Sequence, residues 1–120
     1  MIPDNATYIE ILGEPASKAN SRKIVMFGKR PAIIKSQKAR DYVKTFESQV
    51  KKLSEMWEGD LAVHITIYYK TRRPDLDESV ILDCLQGFVY PNDRQVKEKH
   101  GYHELDRDNP RAVIYVWQRT

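Results

Sequence analysis

Three acids, Asp75, Asp77 and Glu78, fall within four consecutive positions directly behind Arg72 and Arg73 in the stretch RRPDLDESVILDCLQG, residues 72–87. Apolar residues follow at three-to-four spacing (Val80, Ile81, Cys84, Leu85, Phe88), which predicts a short helix from about Asp77 to Gln86, stopped by Gly87. Two chemistries use acids at such a place. In the first, Asp75 and Glu78, three apart, make a capping-box-like pair, and negative charge in the first turn suits the helix dipole; such caps contribute about 0.5–2 kcal/mol. In the second, the carboxylates ligate a cation. Hard oxygen ligands with no thiolate or paired histidines beside them favour Mg²⁺ or Mn²⁺ over zinc. The acidic segment alone leaves both open.

Its neighbours favour the second. Arg72 and Arg73 can neutralise a phosphate brought towards the acids. After the short helix reverses the chain, the turn PND supplies Asp93. A helix of ten residues is only about 15 Å long, so a return loop is expected to bring Asp93 back to the cluster. The charge distribution points the same way. Lys18 to Arg40 holds eight basic residues and no acid, and the remaining chain carries 12 basic and 17 acidic residues. This asymmetry is the footprint of a polyanion-binding face, although a solvated basic hairpin would look the same. A basic face beside a carboxylate metal site implies metal-assisted hydrolysis of a nucleic-acid phosphodiester. Lys18, Arg22, Lys23, Lys29, Arg30, Arg72 and Arg73 are the expected phosphate contacts, and such contacts position DNA without reading its sequence.

The other reactive side chains have plainer roles. Cys84 lies on the apolar face of the short helix with no histidine placed to activate it, and reads as a core residue. His64 reads as a solvated strand residue. His100 and His103, three apart in a strand, point to opposite faces and make a poor metal pair.

The elements that must position these residues are legible from pattern. TYIEILG (7–13) alternates as a first strand, and EPASKANSR (14–22) is loop. KIVMF and RPAIIK flank Gly28-Lys29 as a hairpin whose second arm, with Pro31, is an edge or irregular strand. Ser36 caps a long helix, SQKARDYVKTFESQVKKLSEMW (36–57), carrying one apolar stripe (Ala39, Tyr42, Val43, Phe46, Val50, Leu53, Trp57) and ended by Gly59. LAVHITIYYK (61–70) alternates as a strand, and VKEKHGYHEL and AVIYVWQR read as the last two strands, joined by the polar turn DRDNP. This order predicts an α+β two-layer domain: a mixed β-sheet with one long and one short helix packed largely on one face. At 120 residues the chain is read as one domain, residues 1–120. Hydrophobic residues make up 41% and charged ones 31%, a globular balance. There is no apolar run near the roughly 18 residues needed to span a bilayer, no basic-then-apolar leader at the N-terminus and only one cysteine. A cytosolic protein without membrane contact or small-molecule cofactor is expected.

RRPDLDESVILDCLQGFVYPNDRQV resembles the C-terminal half of the RusA family of Holliday-junction resolvases, found in bacteria and prophages. That family carries an RPDxDN segment, then LDALNG, then a Y-D-D-D-x-Q-V turn entering a strand. PASKANSRK is similar to the family's PPSxNxxx loop and KSQKARDYV to its first-helix entry, so the resemblance covers nearly the whole chain. It implies a RusA-like, homodimeric, Mg²⁺-dependent endodeoxyribonuclease, with Mn²⁺ as a substitute, that makes paired nicks in four-way DNA during recombination and repair. The essential acids would be Asp75, Asp77 and Asp93, holding the metal and carrying catalysis. Asp83 matches a further recurrent acid but lies roughly 240° round a helix from Asp77, a place for orienting or capping rather than ligating.

Three departures qualify this. The asparagine after the second acid is Glu78 here, which can add a ligand or cap. The first acid of the turn's closing pair is Asn92, a weaker ligand. The family's lysine one turn after the second acid is Ile81, in a helix two residues shorter, so its charge must come from Lys97, Lys18, Lys23 or Arg73. These departures keep open a catalytically weak or inactive branched-DNA-binding protein of the same fold. A protein-interaction domain whose acids only cap a helix is the remaining alternative.

Overall fold

The computed structural model describes residues 2–16, 22–50 and 57–119. Among the described residues there are six strands and two helices: β1 (Thr7–Leu12), β2 (Arg22–Phe27), β3 (Arg30–Lys35), α1 (Gln37–Gln49), β4 (Leu61–Tyr69), α2 (Ser79–Leu85), β5 (Val96–Leu105) and β6 (Arg111–Gln118), with a 3-10 turn at Asp93–Gln95. Four strands form one mixed sheet in the order β1-β6-β4-β5, and β2 and β3 pair only with each other as a separate ribbon. Only the β4–β5 pairing is parallel. This is the α+β architecture, with a mixed sheet and two helices, expected from the element order.

Alternation builds the core. Leu61, Val63, Ile65, Ile67 and Tyr69 of β4 are fully buried, as are Ala112, Ile114 and Val116 of β6. They pack beneath Tyr42 and Phe46 of α1 and Val80, Ile81, Cys84 and Leu85 of α2. The apolar stripe of α1 faces this core, and the Ser36 hydroxyl caps the helix by accepting from the Ala39 N–H at 3.2 Å. Of that stripe, Leu53 lies outside the described residues, and the expected helix through Trp57 is cut short: α1 ends at Gln49, where Val50 turns extended as its C-cap, and Trp57 lies outside it, so Gly59 is not its stop. Burial pushes the Cys84 thiol up to about 12, which keeps it protonated and fits a core role. Among the described residues no helix is long and apolar enough to cross a membrane.

The opposite sheet face is open. Tyr8, Tyr115, His64 and His100 lie in register across all four strands. The Tyr8 and Tyr115 rings are 5.2 Å apart and the His64 and His100 rings 6.1 Å. Burial, reinforced by the charge of His100, lowers the His64 pKa. His100 and His103 do point to opposite faces, as strand alternation requires.

Because Ile65 is fully buried at the centre of β4, Ile65→Ala is expected to cost about 2–5 kcal/mol. Urea unfolding should show a lower midpoint with an unchanged slope.

Candidate active site

Residues 70–78 leave the C-terminal end of β4 and fold back over β5 in a two-residue register. The Pro74 carbonyl meets His103 Nε2 at 2.9 Å, the Leu76 side chain lies over Gly101, and the Glu78 carboxylate meets Lys99 Nζ at 2.7 Å. The approach at Gly101 is close: a Cβ added there would sit 3.5 Å from Leu76 Cδ2. Tyr69 anchors the segment from below. Its hydroxyl donates to the Asp75 carbonyl at 3.3 Å and its ring lies 4.5 Å from that of His103. Burial first, then the charges of Asp77, Glu14 and Glu78, push the Tyr69 phenol up to about 12 against a hydrogen bond from the Asp77 backbone. It is therefore a neutral donor at physiological pH.

The three clustered acids have three different environments. Asp77 is the buried charged residue of the described chain, 8% exposed. Its Oδ1 accepts from both the backbone N–H and the hydroxyl of Ser79. It makes no ion pair among the described residues. Asp75 is exposed and lines a groove of about 570 Å³ with Arg72, His103 and Glu104. Glu78 is occupied by Lys99. Burial alone would raise its pKa, but the hydrogen bond and charge of Lys99 outweigh this and hold it below the ordinary glutamate value.

This geometry decides part of the capping question. The helix begins at Ser79, its N-cap is Glu78 in helical backbone, and no side-chain cap bond forms. The Asp75–Glu78 capping box is therefore not made; Asp77 instead closes a local turn onto Ser79. With Asp77 outside the helix, the helical angle between it and Asp83 no longer applies. Asp83 lies near Cys84 and Tyr90, whose pKa values its charge helps to raise.

Asp93 is held by bonds of its own. Parallel pairing sets Val96 beside Leu61 and Leu105 beside Tyr69, so Asp93, just before β5, lies towards the opposite end of the sheet. Several bonds fix it there. Its N–H donates to Gln86 Oε1 at 2.9 Å, at the far end of α2 from Asp77. Asn92 and Gln95 form a reciprocal capping box, and Gln95 Nε2 donates to the carbonyls of Trp57 and Gly59. A return loop does exist, and Gln86 ties it to the C-terminal end of α2, a helix of roughly 10 Å. Among the described residues no three Asp, Glu, His or Cys side chains converge as a metal-ligand group.

The expected basic residues divide similarly. Arg22, Lys23, Lys29 and Arg30 lie exposed on the β2–β3 ribbon, and Arg72 and Arg73 are exposed beside the acids; Lys18 lies outside the described residues. Lys97 is exposed on β5, but the lysine that reaches the acidic segment is Lys99. Sequence reasoning also missed Glu14, which accepts from the Lys70 N–H at 2.7 Å and pairs with Lys38 at 3.3 Å, and His103. The only available signal was strand alternation, which places Lys99 and His103 on one face of β5 but does not say what lies over that face.

Residues 13–117 match the family model described as Endodeoxyribonuclease RusA. The chain belongs to the RusA family. No curated protein matches it. RusA-family enzymes are endodeoxyribonucleases that resolve Holliday junctions, and they generally depend on a divalent metal.

The donor set here fits such a metal, in a limited way. Asp77 is a buried carboxylate with no cation beside it among the described residues, and Asp75 is a second unpaired carboxylate two positions away. Uncompensated buried negative charge is costly unless a cation joins it. Mg²⁺ needs no protein cage; it is held by one or two carboxylates, waters and substrate phosphates. Asp75 and Asp77 are carboxylates of the kind such a site uses.

The Lys99–Glu78 pair gives a pH-dependent prediction. A depressed carboxylate pKa contributes stability above the unfolded value and loses it as pH falls through the folded value. Lys99→Met should therefore cost up to about 1 kcal/mol at neutral pH, with the difference from wild type vanishing in acid. Urea melts at a series of pH values read this directly.

Proposed function

We propose that this protein is a Mg²⁺-dependent endonuclease, with Mn²⁺ as a substitute, that nicks opposed strands of four-way DNA at a site centred on Asp75 and Asp77. The single observation that carries this reading is the buried, unpaired Asp77 carboxylate beside exposed Asp75 in a groove flanked by Arg72. Asp75 and Asp77 would hold the cation. When bound, the cation lowers the pKa of an attacking water and neutralises charge building on the phosphate.

The chain's own residues do the rest. The Ser79 N–H and hydroxyl hold Asp77 Oδ1, which fixes the carboxylate and directs Oδ2 to accept the proton of the attacking water. Tyr69 fixes the Asp75 backbone. Arg72 and Arg73 receive the phosphates flanking the cut. Lys99, ion-paired with Glu78, is the lysine that reaches the acidic segment. Lys18, Arg22, Lys23, Lys29 and Arg30 extend the phosphate track, so affinity falls steeply with salt. A four-way junction has two-fold symmetry, and a homodimer presents two such sites to opposed strands.

Asp93, Asn92 and Glu78 are secondary in this reading: Asn92 caps the 3-10 turn, Glu78 is neutralised, and Asp93 stands apart in one chain. That separation also favours a second reading, a branched-DNA-binding protein of the same fold with weak or no cleavage. Cleavage of a labelled four-way junction beside linear duplex, with Mg²⁺, Mn²⁺ or EDTA, separates the two. Asp77→Asn should lower metal-dependent nicking by about two orders of magnitude or more, as expected when several kcal/mol of transition-state stabilisation is lost. Junction binding should be kept or tightened, because a negative charge is removed. Unchanged nicking by Asp77→Asn contradicts the site; tight wild-type binding without nicks under either metal favours the binding protein.

A further inference from the structure

The β2–β3 ribbon carries more than phosphate contacts. Ile24 is 72% exposed, Ile33 70%, Phe27 65% and Met26 61%. Ile24 lies opposite Ile33 and Met26 opposite Pro31, so one face of the ribbon is a continuous apolar strip. Phe27 stands at the tip, beside a turn in which Gly28 adopts φ +64°. The ribbon joins no other strand, and its base is tied to α1 through Arg40 Nη1 on the Lys35 carbonyl at 3.0 Å. A two-stranded hairpin alone is marginally stable, and large apolar side chains so exposed mark a contact surface.

Charge decides what the contact is. From Arg22 to Lys35 the ribbon carries five basic residues (Arg22, Lys23, Lys29, Arg30, Lys35) and no acid. Packing the apolar face against the same face of a second copy across a two-fold axis would bring Arg22 and Lys35, which share that face, against their own counterparts, four like charges with no acid on the ribbon to offset them. A polyanion removes that conflict. Apolar side chains framed by cations are also the equipment of proteins that push wedges between base steps while holding the flanking phosphates. Basic residues with no apolar tip would bind a duplex equally well, so the exposed Met26 and Phe27 need a substrate whose stacking can be broken.

We infer that the β2–β3 ribbon is a strand-separating wedge: Met26 and Phe27 insert between base pairs at the branch point of junction DNA, and Lys29, Arg30, Lys23, Arg22 and Lys35 hold the adjoining phosphates. This rests on the junction-endonuclease reading and adds to it a cause for structure selectivity. Opening a base step costs a few kcal/mol and least where pairing is already interrupted. The wedge therefore engages a branch point and is resisted by continuous duplex.

The test uses the full chain in EDTA, so that nothing is cut, on a four-way junction with 2-aminopurine at the branch point. Wild-type binding should raise fluorescence severalfold, with no rise on a linear duplex of the same sequence. Met26→Ser/Phe27→Ala, both at exposed positions, should bind with the same salt slope and lose the rise. Lys29→Ala/Arg30→Ala should instead reduce the slope of log affinity against log salt by about 2. Wild-type binding without a rise, or a full rise from Met26→Ser/Phe27→Ala, overturns the wedge while leaving the endonuclease reading intact. Conversion of a wild-type dimer to monomer by the same variant, seen by light scattering, overturns it by making the strip a chain–chain interface. Failure of the wild-type protein to bind the junction at all overturns the endonuclease reading itself.

Discussion

The parallel pairing of β4 with β5 is the constraint on which the rest depends. Antiparallel neighbours can be joined by a tight turn, but parallel ones require the chain to travel back the length of a strand, about 30 Å for nine residues. Residues 70–95 make that journey. Their first part is laid across the inner face of β5, where Pro74, Leu76 and Glu78 meet His103, Gly101 and Lys99. The crossover thereby lays Asp75 and Asp77 alongside β5 between His103 and Lys99 and carries Asp93 to the turn just before Val96. The site is a consequence of connectivity before it is one of chemistry.

Local electrostatics then give the deposited acids their separate characters. Glu78 gains a lysine, Asp75 gains an open groove, and Asp77 gains burial with only Ser79 to satisfy it. A buried carboxylate with no cation beside it among the described residues leans on the two hydrogen bonds from Ser79. Tyr69 holds the Asp75 backbone in the same region, and its raised pKa keeps it a hydrogen-bond donor. Opposite charges are segregated on a larger scale too: the basic ribbon projects from the base of α1, and the acids stay by the sheet.

Most of the fold was legible because each element had an unambiguous period. The alternation of residues 61–69, the Ser36 cap and the Gly28 turn all appear where the pattern puts them. Asp75 and Asp77 were legible as a pair because they are local in sequence. Where the turn carrying Asp93 sits was not legible, because strand order decides it: an antiparallel β4–β5 pair and a parallel one read identically in composition and spacing. Lys99 and Glu14 were missed for the same reason, since their partners are distant in the chain. The capping reading failed more locally. Acids in a first turn can cap only if the backbone enters the helix in extended form, and at Glu78 it is already helical.

The most direct test of this account is Mn²⁺ binding to the free protein, by calorimetry or paramagnetic resonance, for wild type, Asp77→Asn and Asp93→Asn. The account predicts a site in the wild type that is lost in Asp77→Asn and kept, with little change in affinity, in Asp93→Asn. Loss in both variants would mean that the three acids converge after all and that the crossover geometry described above is wrong. Retention in Asp77→Asn would mean that the metal is held elsewhere.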